Sequence, residues 1–581
     1  MAVRRGVLLV IMLIVTAVFV SAAGLLFMAA MVGRPPQVAG NSTLVLDVRG
    51  DLHEMEPSGV LGQFLEAPPT VRSVVDALRK ARVDRRVTSV IVRPTGTAAT
   101  WGKVQEVRDA IIDFRQSDKP IVAYLEFGGD QEYYLASACD EVFLMPTASL
   151  DLTGIASYEL FLRGTLDKIG AYPDALHIGE YKTASNTFTE RGFTPAHREM
   201  AESLNSDLYD QLIRGVADGR QKSEEEVRAL IDHGPYLPED AVRAGLVDDL
   251  AYEDELDDKV ELGAGEVRFL QQRDYRQISP VSLGLNRGPR IAVLYAVGLI
   301  TSGESNYDSP GAQVVGSDTI VRYLRRLRAD SSVRAIVLRI DSPGGSAIAS
   351  DVIWREIMLT RDAKPVIASM SDVAASGGYY IAMPAHAIVA QPSTLTGSIG
   401  VVMMKFVIDG TLSKLGMGAT AVSEGRYAEL FSPIRTYSPE ERARVEQLMQ
   451  ATYDAFVEKA AAGRNTTPER IDAVGQGRVW TGRQAKQLGL VDELGGLERA
   501  LALARQRANI PQDSEVELVI YPPRKSIYEI VANPFGRTEE GAALGALLGL
   551  RDPRMISVLT SPLRVFRRGE PLALMPNVFV R

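Results

Sequence analysis

The hydrophobic pattern of the chain begins with one long uncharged run. Residues 6–32 carry no charged side chain over 27 positions, and Arg4 and Arg5 precede them. A helix that spans a bilayer needs about 20 apolar residues, whereas the apolar part of a cleaved signal peptide has about 7–15. The pattern therefore predicts a transmembrane anchor over residues 6–33. The alternative is a long signal peptide that is cut near Ala23.

Arginine placement predicts the topology of this anchor. Two arginines precede the run, and only Arg34 follows it closely. By the positive-inside rule, the bulk of the chain is then expected on the outer side of the membrane.

Beyond the anchor, apolar runs alternate with amphipathic segments. Strands are predicted at residues 43–48, 87–92, 120–125 and 141–145, and helical spacing at residues 196–216 predicts a helix. Such alternation is typical of α/β domains.

The pattern of the first half recurs in the second half. The run that starts at Val87 resembles the run that starts at Val333, and Gly164-Thr165-Leu166 resembles Gly410-Thr411-Leu412, in both cases 246 residues later. Recurrence at a fixed offset predicts two copies of one domain. We place them at residues 40–268 and 288–510, with a linker at 269–287.

The last part of the chain, residues 511–581, is predicted to be an extension that belongs to neither copy. Its apolar run at residues 542–550 is too short to span a membrane. This run could cover an apolar surface of a neighbouring subunit, lie at the membrane interface or form an ordinary packed helix.

Composition and charge exclude several function classes. A net charge of −9 and a pI near 5.4 argue against a nucleic-acid partner. The single cysteine, Cys139, lies in an apolar segment and is predicted to be a core residue. The five histidines show no metal-ligand spacing, so neither a metal nor a cofactor is expected. So few histidines also leave few bases for a Ser-His-Asp arrangement.

A small-residue turn in the second copy carries the first candidate chemistry. Ser376 stands before Gly377 and Gly378, between an apolar strand at residues 365–370 and a helix that starts near Tyr379. Such a turn can present a hydroxyl group, and a helix start favours anions. The alternative is that Ser376 only caps the helix.

A second glycine turn lies in the same copy. Asp341-Ser342-Pro343-Gly344-Gly345 follows the apolar run 335–340, and backbone N–H groups in such a turn could bind an oxyanion. A plain Pro-Gly turn is the alternative.

Comparison of the two copies identifies a base for Ser376. The position 246 residues before Ser376 is Asp130, and the position 246 residues after Lys182 is Ala428. Each copy keeps what the other lacks, which predicts a Ser–Lys dyad assembled between them. A solvated lysine, or drift in an inactive duplicated protein, would give the same pattern.

At these motifs the chain resembles the signal peptide peptidase A family in its long, two-repeat form. The matching stretches are Gly179-Glu180-Tyr181-Lys182, Asp341-Ser342-Pro343-Gly344-Gly345, Ala374-Ala375-Ser376-Gly377-Gly378-Tyr379-Tyr380 and Leu395-Thr396-Gly397-Ser398-Ile399-Gly400. The resemblance implies an α/β fold of the Clp protease/crotonase kind, with repeated ββα units. It also implies a homotetramer anchored in the bacterial inner membrane that faces the periplasm and degrades cleaved signal peptides.

The resemblance also implies a role for each site residue. Ser376 is expected to be the nucleophile and Lys182 the general base, with Ser398 orienting the lysine and the amides of Gly345 and Gly377 forming the oxyanion hole. The expected substrate is an extended apolar peptide paired along a strand edge. A crotonase-like acyl-CoA enzyme and a non-catalytic membrane scaffold are the rival interpretations.

Overall fold

The computed structural model describes residues 38–56, 69–97, 99–256, 268–307, 313–523, 571–576 and 579–580, together with a few positions between 12 and 20. Most of the predicted anchor and the whole apolar run at 542–550 lie outside these ranges. No helix among the described residues is both long enough and apolar enough to cross a bilayer.

The strands of the described residues include all four that the sequence predicted in the first copy. They are β1 Ser42–Gly50, β2 Val87–Thr97, β3 Ile121–Leu125, β4 Glu141–Leu144, β5 Ser157–Tyr158, β6 Tyr172–Ile178, β7 Asp249–Leu250, β8 Arg268–Gln271, β9 Arg290–Val297, β10 Leu299–Thr301, β11 Val314–Gly316, β12 Val333–Ser342, β13 Gly344–Ser346, β14 Val366–Ala375, β15 Ala387–Ala390, β16 Leu395–Gly397, β17 Val401–Val407, β18 Val479–Thr481, β19 Glu493–Leu494, β20 Glu517–Tyr521, β21 Leu572–Leu574 and β22 Phe579–Val580.

The helices of the same residues include the one predicted at 196–216, which extends to Arg220. They are α1 Val71–Val83, α2 Trp101–Arg115, α3 Asp130–Ala136, α4 Arg163–Ile169, α5 Asn186–Thr189, α6 Pro195–Arg220, α7 Glu224–His233, α8 Pro238–Arg243, α9 Gln272–Tyr275, α10 Ser317–Ala329, α11 Ala347–Arg361, α12 Gly377–Ala382, α13 Asp409–Lys414, α14 Pro439–Gly463, α15 Pro468–Val474, α16 Gly482–Gln487 and α17 Leu497–Arg507. Short 3₁₀ turns lie at Glu253–Glu255 and Pro280–Leu283.

Both copies are built on parallel sheets with the same strand order. The first copy runs β8-β1-β2-β3-β4-β7, and the second runs β20-β9-β12-β14-β15-β19. The central strands are buried on both faces, because helices cover both sides of a parallel sheet. In the second copy, the carboxyl end of β14 also pairs with β16, which in turn pairs antiparallel with β18.

A third sheet joins the two copies. Strand β6 of the first copy pairs antiparallel with β17 of the second copy, from Val401↔Ile178 to Val407↔Tyr172. The full order is β11-β10-β13-β21-β17-β6, so the C-terminal strand β21 also takes part. The segment between the copies is more regular than a plain linker, since β8 starts at Arg268 and α9 and a 3₁₀ turn follow.

Candidate active site

Ser376 occupies the turn between strand β14 and helix α12. Its backbone has φ 55° and ψ −111°, a conformation that is costly for a residue with a side chain. Two hydrogen bonds hold it there: the Ser376 N–H donates to the Gly397 carbonyl at 2.8 Å, and the Tyr380 N–H donates to the Ser376 carbonyl at 2.8 Å. The side chain is fully buried. A strained turn of this kind, fixed by its surroundings, is typical of a functional site.

Lys182 reaches this serine from the first copy. It follows strand β6, and its Nζ lies 2.7 Å from Ser376 Oγ, 2.8 Å from the Ser398 carbonyl oxygen and 3.0 Å from Ser398 Oγ. A neutral amine has two N–H donors and one lone pair. The two Ser398 oxygens can therefore take both donors, which leaves the lone pair for the Ser376 hydroxyl.

The surroundings of Lys182 favour this neutral form. The side chain is fully buried, and burial lowers the pKa of Lys182 well below its usual value. At a given pH, a larger share of the amine is then available to accept a proton.

The glycine turn of the second copy lies beside Ser376. A Cβ added to Gly377 would come within 3.1 Å of the Gly345 nitrogen, so the two backbones approach closely. Gly344 and Gly345 have φ values of 101° and 150°, and a Cβ on Gly345 would meet the Ile300 carbonyl oxygen at 2.1 Å. Only glycine allows this approach. The glycine turn and the turn that carries Ser376 are thus in direct backbone contact.

Two further glycines contact Lys182. Gly400 ends one of the stretches that match the family, without a predicted role, and Gly477 was not predicted at all. A Cβ on Gly477, which has φ +78°, would lie 2.5 Å from Lys182 Cα, and a Cβ on Gly400 would lie 3.0 Å from Lys182 Cδ. The neighbouring Gln476 carbonyl accepts the Tyr181 N–H at 2.7 Å. The second copy therefore holds the lysine by its backbone as well as by its amine. The only sequence signal at Gly477 is a short glycine turn.

The C-terminal strand β21 lies against the same glycine turn. It pairs antiparallel with β13, placing Ala573 opposite Gly345, and Leu572 pairs with Val402 of β17. Its neighbour Met575 packs in an apolar cluster with Ala375, Met200, Leu204, Leu395 and Val479. Nothing in the sequence indicates that the extension returns to the site.

Asp130 stands at the start of α3, where the first copy has no serine. Its Oδ1 accepts the N–H groups of Gly154 at 2.9 Å and Thr153 at 3.2 Å. Burial raises the pKa of Asp130 to about 6. The residue thus fixes a loop within the first copy. Across the described ranges, no group of three or more His, Cys, Asp or Glu side chains could hold a metal ion.

A duplicated α/β domain with a buried serine on a strained strand-to-helix turn is characteristic of a serine peptidase. The chain belongs to peptidase family S49, whose family profile matches residues 113–266 and 359–511. These two matches confirm the duplication and the family resemblance. The protein is therefore a serine protease.

Curated relatives agree with this family over most of the chain. The chloroplastic serine protease SPPA of Arabidopsis thaliana is 38% identical over 504 residues, covering 85% of this chain and 74% of that protein. Protease 4 of Salmonella typhi is 34% identical over 506 residues, covering 83% of this chain and 80% of that protein. Protease 4 of Haemophilus influenzae is 30% identical over 480 residues, covering 78% and 76%.

Proposed function

We propose that this protein is a membrane-anchored serine endopeptidase that degrades cleaved signal peptides with a Ser376–Lys182 dyad. The observation that carries the proposal is the 2.7 Å separation of Ser376 Oγ and Lys182 Nζ, with both side chains fully buried. The lowered pKa of Lys182 supports its role as the base.

The proposed reaction has two steps. Neutral Lys182 takes the hydroxyl proton while Ser376 Oγ attacks the peptide carbonyl. The protonated Lys182 then gives this proton to the substrate nitrogen as the C–N bond breaks, which leaves the acyl-enzyme and a neutral lysine. The N–H groups of Gly345 and Gly377 stabilise the oxyanion, at about 3–4 kcal/mol for each donor. Water activated by the same lysine then hydrolyses the ester. Ser398 orients the amine through its carbonyl and hydroxyl oxygens.

The proposed substrate is an extended apolar peptide. Support comes from the position of strand β21, an extended segment with an apolar sequence between β13 and β17. A substrate peptide would pair with the strand edges of β13 and β17 in the same way. Such backbone pairing accepts many sequences, while side-chain pockets select every second residue. No cofactor enters this mechanism.

The remaining parts of the proposal concern location and assembly. The uncharged run at residues 6–32 would anchor the chain in the bacterial inner membrane, with both repeats in the periplasm, where they meet spent signal peptides. A homotetramer and a fold of the Clp protease/crotonase kind accompany the family resemblance. The repeated parallel strand order is compatible with that fold.

Covalent labelling tests the dyad. A fluorophosphonate should phosphonylate Ser376 in the membrane-bound full-length protein, and Ser376→Ala should abolish both labelling and cleavage of a synthetic signal peptide. Full peptide cleavage by Ser376→Ala would reject the nucleophile. Labelling without peptide cleavage, or no labelling of a folded wild-type protein, would favour the acyl-CoA enzyme or the scaffold.

Fractionation tests the anchor. The intact N-terminus should remain in the membrane fraction, and protease added to the periplasmic side should digest the repeats. A mature N-terminus near residue 23 would reject the anchor, and protected repeats would reject the orientation.

A further inference from the structure

Two buried aspartates end the strands that lead to the site. Asp341 is the second-last residue of β12 and stands four residues before Gly345, and Asp372 lies in β14 four residues before Ser376. Their side chains are 15% and 3% exposed. Two carboxylates so close together in the interior repel each other unless a cation binds both.

Lys103 of the first copy is that cation. Its Nζ lies 2.8 Å from Asp341 Oδ2 and 3.2 Å from Asp372 Oδ2, and its backbone N–H donates to Asp372 Oδ1 at 2.8 Å. Burial alone would lower the pKa of Lys103, but the two carboxylates hold it well above its usual value. Lys103 is therefore charged at any working pH, unlike Lys182.

The lysine binds where the two strands lose their register. Ile340 pairs with Met370, but Ser342 pairs with Ala374, so three residues of β14 lie opposite Asp341 alone. The Val373 N–H donates to Asp341 Oδ1 at 3.2 Å, which spans this bulge. Bulges change the direction of a strand, and this bulge sets the direction in which β14 delivers Ser376.

A second buried ion-pair cluster lies beside the Lys103 cluster and also links the two copies. Arg339 is 1% exposed and binds Glu54 and Glu106 of the first copy. Glu54, Asp372 and Lys103 are the charged groups that act on Asp341, and burial raises the pKa of Asp341 to about 6 against the opposing effect of Lys103. Loss of Lys103 would remove the group that opposes this rise and would leave the two carboxylates without a bridging cation.

We propose that Lys103 is a positioning residue that fixes the distance between the oxyanion turn and the nucleophile. The inference rests on the proposed function of Ser376. When Lys103 is absent, the ammonium bridge between Asp341 and Asp372 is lost. The two carboxylates then either repel each other or share a proton, and the ends of β12 and β14 are no longer held at a fixed distance. A displacement of about 1 Å at the reacting groups costs about 100-fold in rate.

Kinetics of the full-length protein test this role. Lys103→Met should lower kcat about 100-fold with KM nearly unchanged, when rates are expressed per folded molecule. The triple variant Lys103→Met, Asp341→Asn, Asp372→Asn replaces both buried carboxylates with amides that can hydrogen-bond to each other, and it should recover most of kcat. Lys80→Met is the matched control, because Lys80 is also buried in the first copy but contacts backbone carbonyls and the Tyr275 ring rather than carboxylates, and it should retain kcat.

Each outcome bears on the proposal. A kcat for Lys103→Met within twofold of wild type, while Ser376→Ala is inactive, would overturn the role of Lys103 and leave the dyad intact. A triple variant no faster than Lys103→Met would also overturn it. If Lys103→Met does not fold, the triple variant decides: a folded triple variant with kcat near wild type supports the proposal, and one with background activity rejects it.

A separate observation concerns strand β21. The Ala347 N–H donates to the Pro571 carbonyl at 3.2 Å, and the Met575 N–H donates to the Pro343 carbonyl at 2.9 Å. Hydrogen-bonded pairs recur every second residue in an antiparallel ladder, so the intervening pair Gly345/Ala573 belongs to the same class. The Ala573 carbonyl thus faces the amide proposed for the oxyanion hole, and a Cβ on Gly344 would lie 2.0 Å from that oxygen.

From this register we infer that β21 occupies the substrate-binding groove between β13 and β17, and that a substrate peptide must displace it. The inference also rests on the proposed function. Ala573→Pro removes an N–H group from the ladder and should lower KM several-fold without changing kcat, whereas Ala573→Ser keeps the N–H and should behave as wild type. A synthetic peptide of residues 571–576 should inhibit competitively, and more strongly in Ala573→Pro.

Two results for Ala573→Pro would reject the inference that β21 occupies the substrate-binding groove. An unchanged KM in Ala573→Pro would mean that β21 does not compete with substrate. Loss of kcat in a folded Ala573→Pro protein, with normal Ala573→Ser, would mean that the strand completes the site. Both results differ from failure of the dyad, which Ser376→Ala reports separately.

Discussion

Replacing Lys182 with methionine removes the proposed base while nearly preserving the side-chain shape. The space around Lys182 is tight, because Gly477 and Gly400 approach its Cα and Cδ. Methionine is close to lysine in length and carries no charge. We therefore expect Lys182→Met to fold, and to acylate Ser376 about 10²–10⁴-fold more slowly, the usual contribution of a general base.

The pH dependence of the acylation rate provides a second, independent test of Lys182. Below the lowered pKa of Lys182, the neutral fraction rises tenfold for each pH unit, so the wild-type acylation rate should rise with a slope of one. Lys182→Met has no such group, and its rate should not follow this slope.

Stability should respond to pH in the same direction. Between the lowered folded pKa and the unfolded value of about 10.4, the unfolded chain binds one more proton than the folded chain, so stability rises with pH. The slope is about 1.4 kcal/mol per pH unit for one proton. Any stability advantage of Lys182→Met over wild type should therefore shrink as pH rises through this window.

The assay is the rate of fluorophosphonate labelling of the full-length protein, followed by intact mass between pH 6 and pH 10. Lys80→Met is the control for pH, because burial lowers the pKa of Lys80 to about 8 far from Ser376. Its labelling profile should match wild type. A Lys182→Met protein that labels near the wild-type rate, or keeps the slope of one, would refute Lys182 as the base.

Four other substitutions and reagents have definite expected outcomes. Gly477→Ala should lose most labelling, since its Cβ would lie 2.5 Å from Lys182 Cα; a normal rate would mean that the two copies move apart easily. Ser398→Ala removes one of the two Ser398 contacts to Nζ and should slow labelling about tenfold, in line with one lost hydrogen bond. Asp130→Asn should keep cleavage within twofold. The pKa of Asp130 is raised to about 6 in the folded chain, so between about pH 3.9 and pH 6 the folded chain binds more protons at this group than the unfolded chain does. The stability of the wild-type protein therefore falls as pH rises through that range, and the melting temperature of Asp130→Asn relative to wild type should rise. Cys139 is 2% exposed and burial raises its thiol pKa, so a maleimide should modify it only after denaturant is added.

The sequence predicted those parts of the fold that have local or repeated signals. Strands β1 to β4 have continuous apolar runs, and helix α6 has long periodic spacing. The duplication made it possible to compare equivalent positions, and this comparison singled out Lys182 and Ser376 as residues lost from opposite copies. The structure brings these two side chains together.

Features that depend on contacts between distant segments could not be predicted from the sequence. Strand β21 has three residues, too few for a periodic pattern to stand out. Lys103 and Asp372 have the appearance of ordinary surface charges until the two copies are packed together. The contact of Gly477 with Lys182 likewise joins segments that the sequence separates widely. In each case the deciding interaction joins segments that lie far apart in the sequence, and local propensity carries no information about such an interaction.

The division of the dyad between the copies has a consequence during synthesis. Lys182 and Ser376 are 194 residues apart in the chain. At about 5–20 residues per second, a ribosome needs roughly 10–40 s to add the intervening segment. Throughout that interval the first copy can fold with its lysine in place but with no nucleophile to activate. On the proposed mechanism, the growing polypeptide is therefore inert, and hydrolytic capacity arises only once the second copy has packed onto the first.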